Sequence, residues 1–353
     1  MKQVALLAPL PPPYGGIAVW TQRMLNAELP SDWKIAIVDE KLIGNRSVFG
    51  KNTKRSFFNE AKRCLGIWKR LVGVLRDKDT KIVHICIPAG IRSLGREIVS
   101  ATLARVYRKK IVVHFRCTLP NMVSGWLHLR VFCFLAWLSD EFIVLNRKSA
   151  DFLLKTNSKI NFDIIPNFIN ESELNINRVC SENIKTALYV GGVIPEKGCD
   201  KIIETAKLMP QVQFRMVGKV GIKTENLPAN VSLLGEQDQR IVHEELLKAD
   251  VFLFLSHFAG EGFSNALAEA MASGLPCIVS DWAANADMVE DGKGGVVLRD
   301  CTTESIINAF NILKDQNVRQ DSSLFNIQKV KNEYLETNVV NRYVSRYEKL
   351  IEV

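Results

Sequence analysis

The stretch that most constrains this 353-residue chain runs from 250 to 281. It reads DVFLFLS, then HFAGEGFSNALAEAMASGLP, then CIVSD. Each flanking run is short, apolar and followed by turn-formers, the pattern of a buried parallel strand. Between them, Ser264 is a good helix N-cap and Gly274 a good terminator, so a helix is expected from one to the other. Strand, loop, helix, turn, strand is a βαβ unit. The alanines allow that helix to pack closely on a sheet. A helix N-terminus facing a crevice at the carboxyl end of a strand suits a diphosphate. Glu261 lies in the loop and Glu269 one to two turns into the helix, so they can reach different parts of one ligand.

Two glutamates eight apart occur on many helices, but EGFSNALAEAMASGLP is a sixteen-residue pattern. It meets EGF-x-x-x-x-x-E-A-M-A-x-G-x-P at every fixed position, with Glu261 and Glu269 as a Glu-x7-Glu pair. On this motif the chain resembles the retaining family-4 glycosyltransferases of bacterial surface-polysaccharide type, which have the GT-B fold. The resemblance is strong over residues 187–298 and loose over 1–170. It implies an α/β chain of two Rossmann-like, doubly wound domains facing a central cleft. Residues 1–170 would bind the acceptor, 171–325 the nucleotide sugar, and 326–353 would form a helix returning to the first domain.

The same resemblance assigns roles. Glu269 would bind the ribose hydroxyls, and Glu261 would contact the donor sugar near its reacting carbon. The backbone of Phe263, Ser264 and Asn265, together with Lys197, would hold the diphosphate as charge develops on it. Gly16 would complete that cradle from the other domain. Lys197 belongs to Glu196-Lys197-Gly198, which resembles the G-R-x-x-x-x-K-G element of the family. There the chain departs from the pattern, because Gly192 stands where arginine is usual. Either another cation substitutes, Lys219 or a residue of the first domain, or catalysis is weaker. Asp287 stands where glutamate is usual.

Length and composition fit two α/β domains of ordinary soluble make-up, with 47% hydrophobic and 24% charged residues. Eight cysteines show no C-x-x-C pair and no zinc spacing, which suggests buried free thiols in a reducing cytoplasm. MKQVALLAPLPPP reads as a first strand rather than a signal peptide. The run VFCFLAWLS is too short to span a bilayer, which needs about 20 residues.

The net charge of +8 is unevenly spread. Residues 1–170 carry 27 Lys/Arg against 12 Asp/Glu, and the remainder 19 against 26. A basic half suggests an anionic partner. No helix-turn-helix, zinc-finger or RNP pattern points to nucleic acid, so an anionic membrane surface is expected.

Residues 51–78 carry that expectation, with nine basic residues against two acidic. Phe58, Ala61, Leu65, Trp68, Val72 and Leu75 recur at helical spacing, and Arg55, Lys62, Lys69 and Arg76 recur every seven residues beside them. Two readings compete. One is a helix packed on the sheet with its charges in water. The other is an interfacial helix whose aromatics enter lipid while the basic stripe meets head groups. Phe57, Ile67, Leu71 and Val74 widen the apolar surface enough for both to hold in part.

Elsewhere, Gly15-Gly16 between the first strand and a helix reads either as a tight turn or as a close approach to a ligand. His84 and His114 each sit in an apolar strand. His84 reads as a satisfied core residue. His114 stands near the carboxyl end of its strand and, by the resemblance, near the donor sugar. Residues 121–139 are very apolar and read as a buried helix, with an acceptor groove or an interfacial segment as the alternatives. DIIPNFIN resembles the turn that closes the first domain in the family, with Phe168 in place of glycine, and residues 171–184 read as a linker. Tyr343 and Tyr347 are expected to anchor the last helix.

The resemblance implies sugar transfer from a UDP- or GDP-linked donor to a lipid-linked saccharide, with retention and without a metal or other cofactor. The setting would be the cytoplasmic face of the inner membrane, in O-antigen, capsule or exopolysaccharide assembly. A sugar-nucleotide 2-epimerase of the same fold and a non-catalytic sugar-nucleotide-binding protein are the rivals.

Overall fold

A computed structural model describes residues 1–12, 15–40 and 57–352, without the side chain of Phe57. The chain divides into two compact units, one of residues 1–167 and 337–353 and the other of 168–336. The crossings thus fall at 167/168 and 336/337, where the sequence suggested 170/171 and 325/326.

The first unit is built on six parallel strands: β1 (Lys2–Ala8), β2 (Trp33–Asp39), β3 (Thr80–Ile87), β4 (Lys110–Phe115), β5 (Glu141–Val144) and β6 (Phe162–Ile164). Their order is β2-β1-β3-β4-β5-β6. The three-residue edge strand β6 carries too short an apolar run to announce itself in the sequence. Side chains alternate across β3 and β4. Val83, Ile85, Ile87, Ile111, Val113 and Phe115 share a core with the helices Phe57–Leu75, Ile91–Val106 and Trp126–Leu138. His84, Cys86 and His114 are also buried; His84 and His114 lie against rings from the helices Gly16–Asn26 and Glu336–Glu352.

Helix Phe57–Leu75 is apolar on two sides. Ile67, Leu71 and Leu75 are buried in the sheet core. Phe58, Ala61 and Leu65 are exposed, with Lys62 and Lys69. The apolar stripe read from the sequence is therefore divided. Leu75 goes inward, Trp68 and Val72 are half-buried, and the first three residues face water. The sheet takes the side that is richest in branched aliphatics. Residues 51–56 of this stretch, Arg55 among them, lie outside the described residues.

Helix Trp126–Leu138 corrects a second expectation. Phe132, Leu135 and Leu138 are buried, but Trp126, Phe134 and Trp137 are not. A helix lying on one face of a sheet can bury only one side, so its other aromatic residues stay outside.

The second unit repeats the plan with β7 (Thr186–Val190), β8 (Gln213–Val217), β9 (Val231–Gly235), β10 (Val251–Phe254), β11 (Cys277–Ser280) and β12 (Gly295–Leu298). All pairs are parallel, in the order β12-β11-β10-β7-β8-β9. The expected βαβ unit is β10, the helix Asn265–Ala272 and β11. Gly274 takes the left-handed conformation (φ +71°) that ends such a helix without a Cβ penalty. Asn326 donates to the carbonyls of Leu275 and Gly294, each at 2.8 Å, and so fixes the turn that follows.

Among the described residues, no helix is long and apolar enough to cross a membrane. All eight cysteines are free, with Cys64, Cys133 and Cys301 only half-buried.

Candidate functional site

In the second unit the chain leaves β10 at Phe254, turns through residues 255–264 and enters the helix Asn265–Ala272. Ser264 Oγ accepts the Leu267 N–H at 3.2 Å, the N-cap expected of serine there. The loop is pinned from several sides. Glu261 N donates to Phe258 O at 3.0 Å, and Trp282 Nε1 reaches the same carbonyl at 2.8 Å. Ser280 Oγ, at the end of β11, donates to Ser256 O at 2.6 Å. A loop held this way presents its functional groups at fixed positions.

Lys197 arrives from a different element. It ends the short 3-10 turn Pro195–Lys197 that follows β7. The next residue, Gly198, has φ +75° and starts the helix Cys199–Leu208. A Cβ on Gly198 would stand 2.5 Å from Leu255 O and 2.6 Å from Leu255 Cβ, so only glycine lets this turn lie against the end of β10. The His257 N–H donates to Glu196 O at 3.0 Å and ties the two loops together.

This proximity places the Lys197 ammonium in an ion pair with Glu261 Oε2, which also accepts from Ser256 Oγ at 3.2 Å. The two side chains are only 12% and 11% exposed, so Lys197 is not a surface lysine. Its Nζ also lies 5.2 Å from the Phe258 ring centroid and 5.5 Å from that of Phe254. One carboxylate and two aromatic faces together hold the cation, and Ser256 orients the carboxylate, in the loop that leads into the helix Asn265–Ala272. Glu269 is buried in that helix, and Phe263 packs edge-on against Tyr334 at 5.2 Å. Asn265 is the first residue of the helix, half-buried.

At Gly192 there is no side chain to supply a second cation. Its carbonyl accepts from Tyr189 Oη at 2.8 Å, and burial raises the pKa of that phenol well above its ordinary value. The neighbouring Val193 N–H bonds to Lys219 O at 2.9 Å, which brings the exposed Lys219 alongside this loop. Asp287 lies half-buried on the short helix Asn285–Val289.

The remaining candidates, Gly16 and His114, belong to the first unit. Gly16 is exposed and begins its helix, and an added Cβ would meet nothing within 4 Å. His114 is fully buried, and both ring nitrogens already have protein partners. Arg116 Nη1 lies 3.0 Å from His114 Nε2, and His114 Nδ1 lies 3.2 Å from His84 Nε2. His84 Nδ1 lies 2.6 Å from Tyr347 Oη. A guanidinium only donates, so His114 Nε2 must accept and its Nδ1–H points to His84. His84 in turn donates to Tyr347. In this arrangement His114 offers a ligand no free ring nitrogen.

The sequence reading missed Arg116, although it follows His114 by two residues and so shares its side of the strand. Arg116 stacks on Trp20 at 4.4 Å and donates to Asn167 Oδ1 at 2.6 Å. Tyr343 and Tyr347 are buried against these rings, which ties the last helix into the first unit.

The ligating atoms of His84, Cys86 and His114 lie within 4.8 Å of one another. Burial and the nearby Arg116 hold His84 down at about 3, and burial pushes the Cys86 thiol up to about 12. A guanidinium donating into the cluster opposes a second cation, so the group reads as a hydrogen-bond relay. An Asp-x-Asp sequence does occur at Asp77-Lys78-Asp79. It sits in the turn before β3, where both carboxylates face Lys34, Asp79 at 3.1 Å and Asp77 at 3.7 Å.

Two six-stranded Rossmann-like units define a protein of the GT-B class. Residues 175–324 match the family described as "Glycosyl transferases group 1". Among curated proteins, the 2-deoxystreptamine N-acetyl-D-glucosaminyltransferase of Niallia circulans is 26% identical over 46% of this chain and 45% of its own length. The processive diacylglycerol alpha-glucosyltransferase of Acholeplasma laidlawii is also 26% identical, over 39% of this chain and 48% of its own. The matches thus span about half the length of these relatives. Among solved structures, the sucrose-phosphate synthase of Thermosynechococcus elongatus superposes with a TM-score of 0.81 at 16% identity, covering 100% of both chains. HepE of Anabaena in complex with UDP gives 0.75 at 14% identity, covering 99% of this chain and 100% of its own.

Proposed function

We propose that the protein is a retaining glycosyltransferase that moves a hexosyl or N-acetylhexosaminyl group from a nucleotide sugar to a lipid-linked saccharide. The observation that carries the reading is the buried Lys197–Glu261 pair at the N-terminal end of the helix bearing Glu269. A diphosphate at that helix end would compete with Glu261 for the lysine, since it brings more negative charge than one carboxylate. Glu261 is then released to accept hydrogen bonds from sugar hydroxyls. As the bond from the anomeric carbon to the diphosphate breaks, Lys197 and the backbone of Phe263, Ser264 and Asn265 stabilise the charge on the departing oxygen. The acceptor oxygen bonds to the anomeric carbon on the same face and passes its proton to the departing diphosphate oxygen, which carries the electron pair of the broken bond. Glu269 holds the ribose hydroxyls, as a carboxylate can accept two hydrogen bonds there. Gly16 and His114 are proposed to approach the donor from the first unit, which for His114 requires the relay through Arg116 to rearrange.

Support for a nucleotide-sugar donor comes from the group 1 match and from similarity to HepE, which binds UDP. A lipid-linked acceptor suits the basic first half and the exposed basic side of helix Phe57–Leu75, set against an anionic inner-membrane surface. The role would be in assembly of a bacterial surface polysaccharide. Incubation with a panel of UDP- and GDP-sugars, with and without lipid-linked acceptor, tests the reading. Transfer that needs the acceptor supports it. Product without acceptor indicates an epimerase, and binding without product indicates the non-catalytic reading, which Gly192 makes less remote.

A further inference from the structure

Three helices lie side by side on one face of the first unit's sheet: Phe57–Leu75, Ile91–Val106 and Trp126–Leu138. Their inner sides fill the core. Their outer sides carry large apolar groups in water. Trp126 is 77% exposed, Trp137 75%, Phe134 47%, Phe58 83% and Leu65 63%. Trp126, Arg130, Phe134 and Trp137 stand at i, i+4, i+8 and i+11, on one side of their helix. Phe134 and Trp137 stack at 5.7 Å and form one aromatic projection. Soluble surfaces rarely expose such groupings without a partner.

The exposed charges on these three helices have one sign. Lys62, Lys69, Arg92 and Arg130 are exposed on the same three helices, as is Arg105, which pairs with Asp140 at 3.1 Å just beyond helix Trp126–Leu138. The only carboxylates on these helices are Glu60, half-buried and paired with Arg63, and Glu97, buried and paired with Arg96. Exposed tryptophans among basic residues, with no exposed acid between them, complement an anionic bilayer surface.

We propose that this outer face docks on an anionic lipid surface, with Trp126, Phe134 and Trp137 entering the head-group region while the lysines and arginines meet the phosphates. The inference rests on the membrane part of the proposed function. It adds that helix Trp126–Leu138 supplies an aromatic anchor beside the basic helix Phe57–Leu75.

The test uses the full chain and vesicles of phosphatidylglycerol with phosphatidylcholine, against phosphatidylcholine alone. Wild type should pellet with the anionic vesicles, and brominated lipid should quench its tryptophan emission. The triple variant Trp126→Ala, Phe134→Ala, Trp137→Ala should bind about tenfold more weakly or worse and lose that quenching. Its circular dichroism and thermal unfolding should match wild type, because the three side chains touch little of the core. If the triple variant pellets like wild type while Lys62→Glu, Lys69→Glu, Arg76→Glu releases the protein, binding is electrostatic only and the aromatic anchor is wrong, with the membrane reading intact. No vesicle binding by wild type overturns both. Concentration-dependent self-association that the triple variant abolishes, without vesicle binding, would assign the face to a second copy of the chain.

Discussion

Lys197 and Glu261, 64 residues apart in the chain, form a buried ion pair at the point where the turn after β7 meets the loop after β10. Neither residue is in a regular strand or in the helix Asn265–Ala272, yet both are fixed by these elements. Their pairing gives each a measurable dependence on the other.

Removing one partner leaves a charge in a mostly buried position, which costs about 3–5 kcal/mol when such a pair is broken. Lys197→Ala and Glu261→Ala should each lower the unfolding midpoint, and the double variant should recover part of the loss. Turnover should fall on the order of a hundredfold in Lys197→Ala, as for loss of one oxyanion contact, and the double variant should not restore it. A denaturant series run beside single-turnover kinetics separates the two effects. Full recovery of turnover in the double variant would reduce Lys197 to a structural partner.

Glu269→Ala should weaken binding of the donor nucleotide about tenfold or more, since a hydrogen bond to a charged group contributes about 1.5–3 kcal/mol. Calorimetric titration with UDP and GDP measures it. Unchanged affinity for whichever nucleotide wild type binds would remove Glu269 from the ribose site.

Gly198→Ala should displace Lys197 without altering its charge. The new Cβ meets Leu255 backbone at a residue with φ +75°, so strain and overlap act together. A loss of about 1–3 kcal/mol of stability is expected, with reduced turnover. Wild-type thermal unfolding by Gly198→Ala would contradict the close approach described here.

Acid should weaken the first unit through His84 and His114. Burial and the Arg116 charge hold both rings neutral, His84 down at about 3 and His114 well below its ordinary value. A lowered folded pKa means that the stability is fully present above the unfolded value, near 6.5, and is lost as pH falls toward the folded one. Each histidine should cost about 1.4 kcal/mol per pH unit in that range. Denaturant midpoints at pH 7.5 and 5.5, compared with those of His84→Gln, should show the dependence reduced by about half in the variant. An equal pH dependence in both proteins would mean that His84 is not buried neutral.

Glu40 should behave in the opposite sense. It is buried at the end of β2, and Arg96 bridges it to the buried Glu97. Burial first, and then the neighbouring Glu97 charge, raise the Glu40 carboxyl well above its usual range. Stability is therefore present below the unfolded pKa and lost as pH rises through the folded one. Glu40→Gln should be stabilising at pH 8, with the advantage shrinking toward pH 5. Loss of stability at pH 8 in that variant would show that Glu40 is needed charged.

The sequence by itself determined the βαβ unit at 250–281, because its signals are local. Apolar runs, Ser264 as N-cap and Gly274 as terminator need no distant partner to be read. The sixteen-residue motif likewise pointed to Glu261 and Glu269 directly. What only the tertiary structure decided involves contacts between segments distant in the chain. The Lys197–Glu261 pair depends on Gly198 lying against Leu255, and periodicity carries no signal of that approach. Arg116, His84 and Tyr347 come from three elements, so the relay that encloses His114 could not be read from any one of them. The two outer helices make the same point through packing. Phe57–Leu75 and Trp126–Leu138 are apolar on more than one side, and hydrophobic pattern alone does not say which side a sheet will bury. That choice is made by the strands, and it leaves Phe58, Leu65, Trp126, Phe134 and Trp137 facing water.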